Sequence, residues 1–73
     1  MMFVCDDALN VTCRVIDMAR RLGLGLETLA LTRTEDGRAC IRLALEEPQS
    51  EAAEQFRARV RAFLTLLPEP CDV

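Results

Sequence analysis

The spacing of apolar and polar positions changes repeatedly along the chain, and each change marks an element. Residues 1–5 form a short apolar run that halts at Asp6 and Asp7, the profile of a strand. From Asn10 the period becomes helical, with Val11, Val15, Met18, Ala19 and Leu22 on one stripe. Asn10 is expected to cap this helix, Arg20 and Arg21 suit its C-terminal dipole, and Gly23 stops it. Asp17 and Arg21 stand four apart on the solvated side, in the order that favours an ion pair.

Residues 25–33 are rich in Leu and Thr and predict a second strand. Asp36-Gly37 follows, a hairpin signal. Ala39, Ile41, Leu43 and Leu45 then alternate with Cys40, Arg42, Ala44 and Glu46, so the third strand is half-buried. With Asp36-Gly37 as a two-residue loop, Ile41 would face Thr32 and Leu43 would face Ala30. Leu29 and Leu31 would then lie on the opposite face, beside Arg42 and Ala44, where a second subunit is expected to cover them. Ser50 caps a second helix, with Glu51 and Glu54 in its first turn. Its stripe is Ala53, Phe56, Val60, Phe63, Leu64 and Leu67; Pro68 ends it, and residues 69–73 are expected to add a short edge strand.

The order is strand-helix-strand-strand-helix-strand, in one domain over residues 1–73. Two amphipathic helices can cover one face of a four-stranded antiparallel sheet, an α+β, ferredoxin-like βαββαβ sandwich. That fold hosts unrelated functions, so function has to come from residues.

Composition removes most chemistries. The 73 residues are 51% hydrophobic, more grease than so small an interior holds, which points to a second core between subunits. With no His there is no imidazole base and no Ser-His or Cys-His pair. All nine basic residues are Arg, so no lysine Schiff base forms. An independent enzyme, and hence a catalytic residue, is not expected. The net charge of −3 argues against nucleic acid, and Arg57, Arg59 and Arg61 read as a solvated helix face. The apolar runs are too short to span a membrane, and no basic segment followed by an apolar one opens the chain, so a cytoplasmic location is expected. Cys5, Cys13, Cys40 and Cys71 are widely spaced without a CxxC pair, so they read as small packing residues and no metal is expected.

Residues 14–29, RVIDMARRLGLGLETL, resemble the first helix and second strand of ACT domains. They are most similar to those of small regulatory subunits of acetolactate synthase, and Thr32-Arg33-Thr34-Glu35-Asp36-Gly37 resembles that family's hairpin. The short length is similar to the single-ACT, isozyme II type. Two positions depart from the pattern: Asn10 stands where the family has a loop Gly, and Gly25 where it has an Asn.

The resemblance implies a homodimer that binds and regulates the large catalytic subunit of acetolactate synthase, in branched-chain amino-acid biosynthesis. That partner would carry the thiamine diphosphate, magnesium and flavin; this chain is expected to bind no cofactor. It also implies a valine-like amino-acid effector held between the first loop of one subunit and the second strand of the other. The candidate residues are Asp7, Asn10, Val11, Thr12, Gly25 and Leu26. The backbone N–H groups of Val11, Thr12 and Cys13 could take a carboxylate, Asp6 or Asp7 an ammonium group, and Val11 or Leu26 an apolar side chain. The alternatives are a stand-alone ACT-type amino-acid sensor and a ligand-free dimerisation module.

Overall fold

A computed structural model describes residues 1–67. Strand β1 (Met2–Cys5) leads into helix α1 (Ala8–Arg21), then strands β2 (Leu26–Arg33) and β3 (Ala39–Leu45), and helix α2 (Glu51–Leu66). The strands form an antiparallel sheet in the order β1-β3-β2, with both helices on one face. This α+β arrangement is compatible with part of a ferredoxin-like fold. The described sheet has three strands, not the expected four; the fourth, expected at residues 69–73, lies outside the described residues.

The core is where the two periodicities meet. Phe3 and Cys5 from β1, and Ala39, Ile41, Leu43 and Leu45 from β3, are buried against Val11, Val15 and Ala19 of α1. Ala53, Phe56, Val60 and Leu64 of α2 complete it, and Ile41, Phe56 and Val60 are 0% exposed. The expected stripes are therefore the core-facing stripes, with Met18, Leu22, Phe63 and Leu67 packed at their margins.

The ends of the helices follow capping chemistry, with one correction. The first helix is capped by Asp7, not Asn10: the Asp7 carboxylate accepts the Asn10 N–H at 3.3 Å, and the helix begins at Ala8. Its first turn carries Leu9 and Asn10 exposed, so the apolar stripe begins one turn later than the helix does. At the other end Leu24 N–H reaches Ala19 C=O at 2.9 Å and Gly23 N–H reaches Arg20 C=O at 3.1 Å. With Gly23 at φ 73°, this is a Schellman stop. Ser50 caps α2 through the Ala53 N–H at 3.1 Å. Leu67 is extended, as the residue before a proline prefers.

The hairpin differs from expectation by one residue. Gly37 N–H donates to Thr34 C=O, Thr34 N–H donates to Arg38 C=O, and Gly37 has φ 85°. The loop is thus three residues, Glu35-Asp36-Gly37, with glycine in the left-handed position. Leu31 therefore faces Ile41 and Leu29 faces Leu43, instead of Thr32 and Ala30 doing so. Leu29 and Leu31 consequently sit on the helix-covered face, not beside Arg42 and Ala44 on the open one. They remain 42% and 43% exposed because β2 is an edge strand, only partly covered by the helices.

Candidate functional site

Asp6 and Asp7 turn the chain from β1 into α1, and both have structural partners. Asp6 accepts from Arg38 Nε at 2.8 Å, and Arg38 also reaches the Val4 carbonyl at 3.4 Å, tying this turn to the hairpin. Asp7 is spent on the cap. Because the helix begins at Ala8, the amides of Val11, Thr12 and Cys13 lie within it; Val11 N–H donates to Asp7 C=O at 3.1 Å. The expected carboxylate-binding amides are therefore already paired, and the amides of the first turn without a partner among the described residues are those of Ala8 and Leu9.

Of the other candidates, Asn10 is exposed and its Oδ1 accepts from Arg14 Nε at 3.2 Å. Val11 is a core residue. The Thr12 hydroxyl is buried and has no hydrogen-bond partner among the described residues. A buried hydroxyl without a partner loses its hydration uncompensated.

Gly25 and Leu26 lie elsewhere. Cys5 pairs with Ala39 and Ala39 with Arg33, so the start of α1 shares one end of the sheet with the last residue of β2. Leu26 pairs with Leu45 at the opposite end. The two groups of candidates are separated by the length of β2, about 23 Å at 3.3 Å per residue. One chain does not bring them together.

At the Gly25 end the structure adds a residue that the sequence reading missed. Glu46 N–H donates to Gly25 C=O at 3.0 Å, and its carboxylate lies so close to Gly25 that a Cβ there would collide with it. The absent side chain at residue 25 is what gives Glu46 this place. The expected register opposes Pro48 to Gly25; the three-residue loop and a register shift between Leu26 and Thr28 together bring Glu46 there.

Among the described residues, strand β2 has a free edge. Met1 and Leu43 exchange hydrogen bonds, each N–H donating to the other's carbonyl at 2.9 Å, so alternate residues of β3 serve β1. Arg42 and its alternates serve β2, bonding Thr28, Ala30 and Thr32. The N–H and C=O groups of Leu29, Leu31 and Arg33 therefore point away from the sheet. Beside that edge, Ile16 of α1 and Leu29 and Leu31 form an exposed apolar margin.

Two carboxylates are held below their ordinary value of 3.8, and neither belongs to the expected site. For Asp17 the main cause is the hydrogen bond from Arg20, supported by the charges of Arg21 and Arg20. For Asp36 it is the Thr34 hydroxyl, followed by the Arg38 backbone N–H. Cys5 is buried, Cys40 half-buried and Cys13 exposed; Cys71 lies outside the described residues. Among the described residues no cluster of Cys, Asp or Glu could hold a metal, and no helix is long and apolar enough to cross a membrane.

No family model matches the chain, and no curated protein or solved structure matches it significantly.

Proposed function

We propose that the chain is a non-catalytic regulatory domain that dimerises through β2 and acts on a larger catalytic subunit. In this reading its ACT-like pattern makes it similar to the small subunit of acetolactate synthase, working in the cytoplasm on branched-chain amino-acid biosynthesis. The observation that carries the reading is the free edge of β2 with the candidate residues divided between its two ends. Antiparallel pairing of β2 with β2 of a second copy, about a twofold axis, satisfies the outward groups of Leu29 and Leu31. The same operation sets the partner's Gly25 and Leu26 at the end that holds Asp7, Asn10 and Thr12.

A valine-like effector at that junction would meet the amides of Ala8 and Leu9 with its carboxylate and the partner's Glu46 with its ammonium group. The unpaired Thr12 hydroxyl supports a site completed from outside one chain. Regulation then follows from differential contact of the dimer with two states of the catalytic subunit.

Reconstitution tests the reading. The purified chain is mixed with the acetolactate synthase large subunit of the same organism, and acetolactate formation is measured with and without valine. A complex with raised turnover supports the regulatory role, and a valine response supports the effector site. No complex and an unchanged rate refute the regulatory role.

A further inference from the structure

We propose that the groove between α1 and α2 docks an acidic helix of a partner polypeptide. This does not depend on the β2 dimer or on acetolactate synthase. The groove is a cleft of about 470 Å³, with Met18 and Phe63 as its apolar lining. Arg14, Arg21 and Arg59 border it, with Asp17 as its single acid. Asp17 is already paired, with Arg20 at 2.7 Å and Arg21 at 2.8 Å. The groove is therefore lined by three Arg against one Asp, and so is net positive on a chain whose net charge is −3.

Two of the guanidinium groups stand ready for an anion. Arg14 lies over the Phe63 ring, 5.8 Å from its centroid, while its Nε donates to Asn10. That fixes the side chain and leaves its terminal nitrogens without a partner among the described residues. Arg59 is exposed and has no hydrogen-bond or ion-pair partner among the described residues.

Spacing selects the occupant. β1 and β3 are antiparallel, so the helices that follow them run in opposite directions. Arg14 is level with Phe63, Arg59 is one turn before Phe63, and Arg21 is two turns beyond Arg14. Arg14 and Arg59 thus stand about one helical turn apart along the groove, roughly 5.4 Å, with the Asp17-paired Arg21 about one turn further. Carboxylates at i, i+4 and i+8 of a helix repeat at nearly the same interval, and apolar residues beside them would rest on Met18 and Phe63. A second copy does not supply this stripe. α1 holds one acid, Asp17, and α2 holds its two, Glu51 and Glu54, in its first turn. The overall negative charge opposes a nucleic-acid backbone.

The test uses the whole chain and a synthetic helical peptide of about five turns. The peptide carries Glu at i, i+4 and i+8 flanked by Leu; a second peptide carries Arg at the same positions. Side-chain Nε–H resonances of Arg14 and Arg59 are followed by NMR through each titration. The Glu peptide should shift both, and R59E should weaken its binding at least about tenfold, or 1.4 kcal/mol. The R14E/R59E double variant should prefer the Arg peptide, and circular dichroism confirms that the variants are folded. The proposal is overturned if the Glu peptide does not bind or if R59E binds it unchanged. It is also overturned if sodium pyrophosphate or a short single-stranded DNA binds as tightly as the Glu peptide.

Discussion

Proline placed at Ala30 and, separately, at Leu31 should have opposite consequences, because the two residues differ in where their N–H groups point. Ala30 pairs with Arg42 and donates inward to β3, so A30P removes a ladder hydrogen bond and sets a ring against the neighbouring strand. The unpaired Arg42 carbonyl costs about 1–3 kcal/mol, and the steric clash of the ring about 1–3 kcal/mol more. Leu31 opposes Ile41 in a pair that exchanges no hydrogen bonds, and its N–H faces the free edge. L31P removes no intrachain bond and trims a side chain that is already 43% exposed, so its cost should stay near 1 kcal/mol. A chain of 73 residues has a total stability of about 4–11 kcal/mol. One kcal/mol moves its melting point by about 4–8 °C. A30P should therefore melt at least about 8 °C below the parent, or fail to fold, while L31P loses only a few degrees. The assay is thermal melting by circular dichroism, since there is no Trp or Tyr to follow. The reverse order would refute the register. With a two-residue loop Leu31 would face Arg42, its N–H would point inward, and L31P would be the damaging change.

Other outcomes follow from the same geometry. D7A should cost about 1 kcal/mol by removing the α1 cap, whereas N10A should be nearly neutral; equal costs in urea titrations would return the cap to Asn10. V60D places a carboxylate at a position that is 0% exposed, and a cooperative melt close to the parent's would show that the α2 stripe is not the core. The folded state holds the Asp17 carboxyl below its ordinary value of 3.8, so its contribution is present above that pH. It is lost as pH falls through the folded value. Stability measured across pH 2–6 should accordingly fall less steeply on acidification in D17N than in the parent, and parallel curves would remove the ion pair from the account.

Periodicity made the two helices and their buried stripes legible, because burial requires Val11, Val15, Phe56 and Val60 to repeat at the helical interval. The Gly23 stop and the Ser50 cap were legible for the same local reason. The hairpin was legible in place but not in length. Asp36-Gly37 serves a two-residue loop or a three-residue loop with glycine last, and the choice rests on the Thr34 and Arg38 backbone bonds. That one residue moved Leu29 and Leu31 to the other face, and with the register shift between Leu26 and Thr28 it exchanged Pro48 for Glu46 opposite Gly25. The α1 cap was misplaced because Leu9 is apolar yet outside the stripe, so the first turn gives no periodic signal. Arg59 is exposed, as its place on the polar face of the helix predicts, but its position beside Phe63 and Arg14 exists only once two helices are packed. The expected effector residues divide between opposite ends of the sheet, which adjacency in sequence cannot show.

The most direct test of the account is the association state of the parent chain beside that of L31P. Sedimentation equilibrium over a range of concentrations reads both. The account predicts a dimer for the parent and a folded monomer for L31P, because only the outward edge of β2 is altered. A parent that stays monomeric at the highest concentration, or an L31P variant that dimerises as tightly as the parent, would contradict it.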